Sequence, residues 1–131
     1  MAAHSIDDSR LPLGLIGVLR LGLMGIVYTV MAEFDDLAVA SEWVHWLQNG
    51  HLAEVLQGGA TQAMIVRVEP TDRHPLRFES RYRFPSMAAF IEYETNHAPK
   101  LRAEGLAKFP ASRGVRMTRQ LAEVLTELKG T

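Results

Sequence analysis

The chain has 131 residues, enough for one domain with a modest core and too few for a second. Its 14 Lys+Arg against 15 Asp+Glu give a formal net charge of -1, without the positive excess that nonspecific nucleic-acid binding requires. The absence of cysteine excludes disulfides, thiolate catalysis and thiolate metal sites, and it is compatible with the reducing cytoplasm, the expected location.

Residues 1–23 read as an N-terminal extension to a domain over 24–131. Between Leu11 and Ala32 the only charge is Arg20, a run that invites a membrane or signal-peptide reading. Asp7 and Asp8 at its opening, the interruption at Arg20 and the lack of a small-residue cleavage site argue against both. A membrane span would also consume the residues that best resemble a first strand, so no membrane partner is expected.

The stretch from Gly25 to Glu33 is rich in β-formers and suits a central strand. A helix follows, with Asp35 or Asp36 as its cap and Leu37, Ala40, Trp43, Val44 and Leu47 on one apolar arc. It ends near Asn49, where Gly50 can take a positive φ. His51 to Leu56 forms a second short helical segment, stopped by Gly58 and Gly59. The residues Thr61 to Glu69 and Leu76 to Phe84 read as a hairpin, joined by the turn-forming Pro70 to Pro75. Ser86 caps another helix through Asn96, with Met87, Phe90, Ile91 and Tyr93 as its apolar positions. Pro99 opens a further helix that must end before Pro110. Gly114 to Leu121 reads as a last strand, although the tail from Arg119 to Lys129 suits a helix equally well.

Strand, helix, strand, strand, helix, strand is the order of the α+β ferredoxin-like βαββαβ sandwich: one four-stranded antiparallel sheet with two main helices on one face. Alternation along the third strand sends Phe78, Ser80, Tyr82 and Phe84 toward the helices, and Arg77, Glu79, Arg81 and Arg83 to the other face. That polar face either meets water or forms a wet interface with a second copy.

The span from Met24 to about Leu125 also resembles a bacterial family of unknown function in the dimeric α+β barrel superfamily. The shared features are a short initiating strand, Trp43-x-x-Trp46 followed by His51, a glycine-bounded turn, an aromatic strand, and the run His97-Ala-Pro-Lys-Leu-Arg102 with Gly105 and Phe109. The resemblance implies a homodimer whose sheets pack face to face. It supplies no reaction, because related members range from cofactor-independent monooxygenases to proteins without known activity.

His51 is the first candidate for chemistry, since a place near a helix N-terminus disfavours the imidazolium and leaves a neutral proton acceptor. Tyr82 is grouped with it as a catalytic candidate. Tyr28 and Trp46 are candidate ligand contacts in the same helix-side pocket, and His97 with Arg102 is a candidate anion-binding pair at the opposite end. Each has a plainer alternative: Trp46 and the tyrosines as core, the histidines as local caps. The spacings His51-x-x-Glu54 and Glu94-x-x-His97 could each supply two metal ligands but lack a second set, so no metal and no cofactor is assigned. The expectation is therefore a homodimer that binds or transforms a small organic molecule. The alternatives are a noncatalytic metabolite- or protein-binding module and an RNA-binding sheet, and the third strand lacks the glycine-containing pattern of the latter.

Overall fold

The computed structural model describes residues 25–130; the extension expected over residues 1–23 lies outside them. Four strands, β1 (Ile26–Phe34), β2 (Gln62–Arg67), β3 (Arg77–Phe84) and β4 (Val115–Glu123), form an antiparallel sheet in the order β2-β3-β1-β4. Between β1 and β2 run α1 (Leu37–Trp46) and α2 (Leu52–Gln57), and between β3 and β4 run α3 (Met87–Asn96) and α4 (Ala98–Lys108). This is the ferredoxin-like arrangement, with β2 and β3 paired as the expected hairpin.

The caps follow the sequence. Asp36 accepts a hydrogen bond from the Ala38 N–H, and Ser86 accepts one from the Ala89 N–H, each satisfying a donor that the first helical turn leaves free. The tail after β4 does not continue as a helix. Residues 119–123 complete the strand instead, because pairing with β1 from Val115 to Glu123 satisfies their backbone groups.

Two expected core positions face solvent. Leu37 and Ile91 are 52% and 39% exposed. The buried residues Ala40 and Trp43 of α1, with Leu47 just past its end, define the stripe, and Leu37 lies about 90° from its centre. Ile91 sits about 100° from the centre defined by Met87, Phe90 and Tyr93. Both are margins of an arc that the sheet covers only in the middle.

Side chains between helices and sheet form two apolar clusters. One gathers Tyr28, Val55, Tyr82, Phe84, Phe90, Tyr93 and Leu101; the other gathers Phe34, Trp43, Leu47, Phe78, Phe109 and Val115. Val30 and Leu52 pack against both. The clusters do not fuse completely, and the gap they leave is the site.

Candidate functional site

A cavity of about 290 Å³ opens between the helices and the sheet. Its walls come from both clusters: Tyr28, Tyr82, Tyr93 and Leu101 on one side, Trp43, Leu47 and Met117 on the other. Tyr28, Trp46, His51, Tyr82 and Arg102 all line it.

Backbone geometry at the end of α1 puts Trp46 and His51 side by side. Five residues along a regular helix rotate by about 140° net, which would separate the two rings. The chain instead widens over Leu47–His51, with Asn49 at φ -101, ψ 43 and Gly50 at φ 136. Positive φ there requires glycine for an unstrained turn. Asn49 donates from Nδ2 to the His45 carbonyl at 2.7 Å, satisfying an acceptor the break exposes. His51 consequently stacks on Trp46 with ring centroids 4.3 Å apart and planes at 28°. On the far side of the indole, Gly105 of α4 allows close approach: a Cβ at that position would lie 3.3 Å from Trp46 Cη2.

Burial depresses the His51 pKa from 6.5 to about 4, so the ring is neutral near pH 7. The cause is loss of hydration on burial, and His51 stands at the N-cap of α2, the helix-end position expected from sequence. Among the described residues His51 Nδ1 is buried without a hydrogen-bond partner, the buried hydroxyls of Ser80 and Tyr82 pair with each other, and all three residues line the cavity. Tyr82 sits 2% exposed, and burial raises its phenol pKa well above the ordinary value, keeping it protonated; the neighbouring Ser80 hydroxyl acts in the opposite direction but does not prevail.

A charged cluster borders the same space. Arg119 donates from Nη1 to Tyr28 OH at 3.1 Å and reaches Glu94 Oε2 at 3.4 Å. Arg102 donates from Nη2 to both Glu94 oxygens, at 2.9 and 3.2 Å. Burial opposes the Arg102 charge, but the hydrogen bonds and charge of Glu94 outweigh it, so its pKa rises. For Tyr28, burial raises the pKa despite the opposing pull of Arg119.

His97 stands apart, and the expected His97–Arg102 anion pair does not form this way. Arg102 turns into the cavity, whereas His97 is exposed between α3 and α4 and does not line it. Its ring lies nearly parallel to Tyr93, with centroids 6.4 Å apart, and packs beside Gly58. Its backbone N–H donates to the Tyr93 carbonyl, but its side chain makes no cap hydrogen bond. Among the described residues no group of three or more His, Asp or Glu is arranged to hold a metal. The third-strand aromatics Phe78, Tyr82 and Phe84 are buried under the helices, so they present no stacking surface to RNA bases.

The family model described as "Domain of unknown function (DUF4286)" matches residues 25–124, from the start of β1 to just past β4. The chain belongs to this family. No functionally curated protein matches this DUF4286 chain. A dimeric ferredoxin-like protein from an uncultured marine organism is similar at a TM-score of 0.65 and 13% identity, covering 79% of this chain and 98% of that one. An ethyl tert-butyl ether d (ethd) family protein from Bacillus halodurans gives 0.58 and 11%, with coverages of 78% and 100%. A monooxygenase from Streptomyces coelicolor in complex with nanaomycin D gives 0.55 and 13%, with coverages of 85% and 98%. At these identities the likeness shows the fold. No helix among the described residues is long and apolar enough to cross a membrane.

Sequence reasoning missed Glu94, Arg119 and Ser80 as members of the cavity region. Two signals were available. Glu94 lies about 40° from the centre of the α3 apolar stripe, an acid where a hydrophobe is expected. In strand alternation Arg119 shares a face with Val115 and Met117, a reading open only once residues 119–123 are taken as strand.

Proposed function

We propose that this DUF4286 chain is a homodimeric protein whose helix-side cavity binds a small, mostly apolar organic molecule, with His51 and Tyr82 as the groups that act on it. The observation that carries the reading is the gathering, around one aromatic-lined cavity, of His51 Nδ1, which has no hydrogen-bond partner among the described residues, and the buried Ser80–Tyr82 hydroxyl pair. Native interiors satisfy nearly all buried polar atoms, and an unpaired imidazole nitrogen on the wall of a cavity suits a group that a ligand satisfies. A volume of about 290 Å³ is near the lower end for ligand pockets and equals roughly ten water molecules. It suits a one- or two-ring molecule.

The chemistry follows from the protonation states. A neutral His51 accepts a proton, and a protonated Tyr82 donates a hydrogen bond to an oxygen that gains negative charge. Binding is the primary claim and proton transfer the secondary one, since a noncatalytic module needs the same lining.

Support for the dimer comes from the face of the sheet turned away from the helices. Met64 is 42% exposed there, beside half-buried Val27, Met31 and Val66. On the same face Glu79 is only 7% exposed and accepts hydrogen bonds from Arg77 and Arg81. A mixed surface of this kind, apolar with locked charges, suits a wet interface with a second copy. The first structural relative named above is itself described as dimeric. Cytoplasmic residence belongs to the same reading, since a chain without cysteine draws nothing from an oxidising compartment.

The test is a thermal-shift screen of small aromatic and aliphatic molecules against the full chain, with hits titrated into His51→Ala and Trp46→Ala. Hits that weaken in both variants support the cavity. Hits that bind both variants as tightly as wild type locate the ligand elsewhere and end the reading.

A further inference from the structure

We propose that the molecule bound in this cavity is an organic acid, its carboxylate seated against Arg102 and Arg119 and its apolar body lying along Trp46, Leu101 and Met117. The inference rests on the small-molecule reading above and adds the charge of the ligand. It comes from the unequal count of charges at one wall. Arg102 and Arg119 both line the cavity, while Glu94, the carboxylate they share, does not. The cavity therefore faces two cations whose common counter-ion lies behind them, a net excess of one positive charge beside an otherwise aromatic and aliphatic lining.

Donor capacity agrees with charge. Arg119 has a side chain only 9% exposed, yet among the described residues its hydrogen bonds all come from Nη1, to Tyr28 and Glu94. Arg102 donates to Glu94 from Nη2 alone and also reaches the Tyr28 hydroxyl. A guanidinium presents five N–H donors in a planar fork, so each arginine retains several. A carboxylate is acceptor-only and matches that fork with two parallel hydrogen bonds. Glu94 holds the two guanidinium groups close together, with Arg102 Nη2 3.2 Å and Arg119 Nη1 3.4 Å from the same Oε2. Tyr28 adds a donor: its oxygen accepts from Arg119, and its own O–H is left to give. Neutral groups on His51 and Tyr82 are suited to the body of the ligand rather than to its charge.

The probes are 2-naphthoate and its neutral amide, 2-naphthamide, titrated calorimetrically into the full chain at near-neutral pH. The acid is expected to bind at least about tenfold more tightly than the amide, one tenfold step being the effect of removing a single charge-assisted hydrogen bond. In Arg119→Gln, and separately in the more exposed Arg102→Gln, the acid is expected to weaken about tenfold while the amide is unchanged. The second variant preserves the test if the first fails to fold. Equal affinity for acid and amide overturns the organic-acid proposal and leaves the cavity reading standing. Acid affinity that survives both substitutions also overturns it. Binding of neither probe, with no change in tryptophan emission, overturns the cavity reading with it.

Discussion

Replacement of His51 by glutamine removes a buried titratable group and keeps a polar side chain of similar reach. In the folded protein burial lowers the His51 pKa from 6.5 to about 4. As pH falls from neutrality the unfolded chain takes up this proton first, so the wild type loses stability through that window. The contribution is complete above about pH 6.5, falls progressively toward pH 4, and is constant below. From the two values, the wild type loses about 1 kcal/mol by pH 5.5 and about 3 kcal/mol by pH 4, relative to pH 7, through this residue alone. Carboxylates also titrate at the acid end, but they are common to both proteins and cancel in the difference. Urea denaturation of wild type and His51→Gln at about pH 7, 5.5 and 4 reads it directly. The difference in unfolding free energy is expected to move toward the variant by these amounts. Parallel curves, or a shift favouring the wild type in acid, would refute the idea that His51 is held neutral by burial.

Tyr82→Phe removes the partner of the buried Ser80 hydroxyl, so the ligand-free protein is expected to lose about 1 kcal/mol and melt roughly 4–8 °C lower, with a loss of ligand affinity as well. An unchanged or raised stability on that substitution would mean that the two hydroxyls do not pair. Gly50→Ala meets no atom within 4 Å but forces a side chain onto a φ of 136°, and it is expected to cost about 1–2 kcal/mol in chemical denaturation. Because that residue carries the turn placing His51 on Trp46, tryptophan emission should change as well; an unaffected stability would sink the backbone explanation. Arg81→Glu sets a second carboxylate beside Glu79 on the open face of the sheet and is expected to yield a folded monomer by light scattering, whereas an unchanged mass would count against that face as the interface.

The fold was legible because local signals agreed with one another. Asp36 and Ser86 cap where their side chains allow, the β-rich segment from Gly25 becomes the central strand, and β3 alternates as Phe78 to Phe84 suggest. Five of six candidate side chains fell around one cavity. Strand alternation points Tyr28 and Tyr82 to the helix side, whereas Arg102, expected with His97 at the opposite end, and His51, turned by the break after α1, reach it by routes that periodicity does not give. What could not be read were events at element ends and between distant elements. The widened turn at Leu47–His51 depends on a backbone break whose form no periodicity fixes. The Glu94 pairing with Arg102 and Arg119 joins α3, α4 and β4, and an ion pair across 25 residues leaves no local pattern. His97 looked equivalent to His51 because both follow a helix end that carries an asparagine, but only the His51 turn folds its ring back over the cavity.

Native mass spectrometry of the gently purified full chain puts the dimer and its occupied cavity to the sharpest test, since it reports subunit number and any retained molecule together. The expected result is a dimer carrying an added small mass, released as an organic acid on denaturation and absent from the same preparation of Trp46→Ala. A ligand-free monomer, or an adduct retained equally by both proteins, would contradict it.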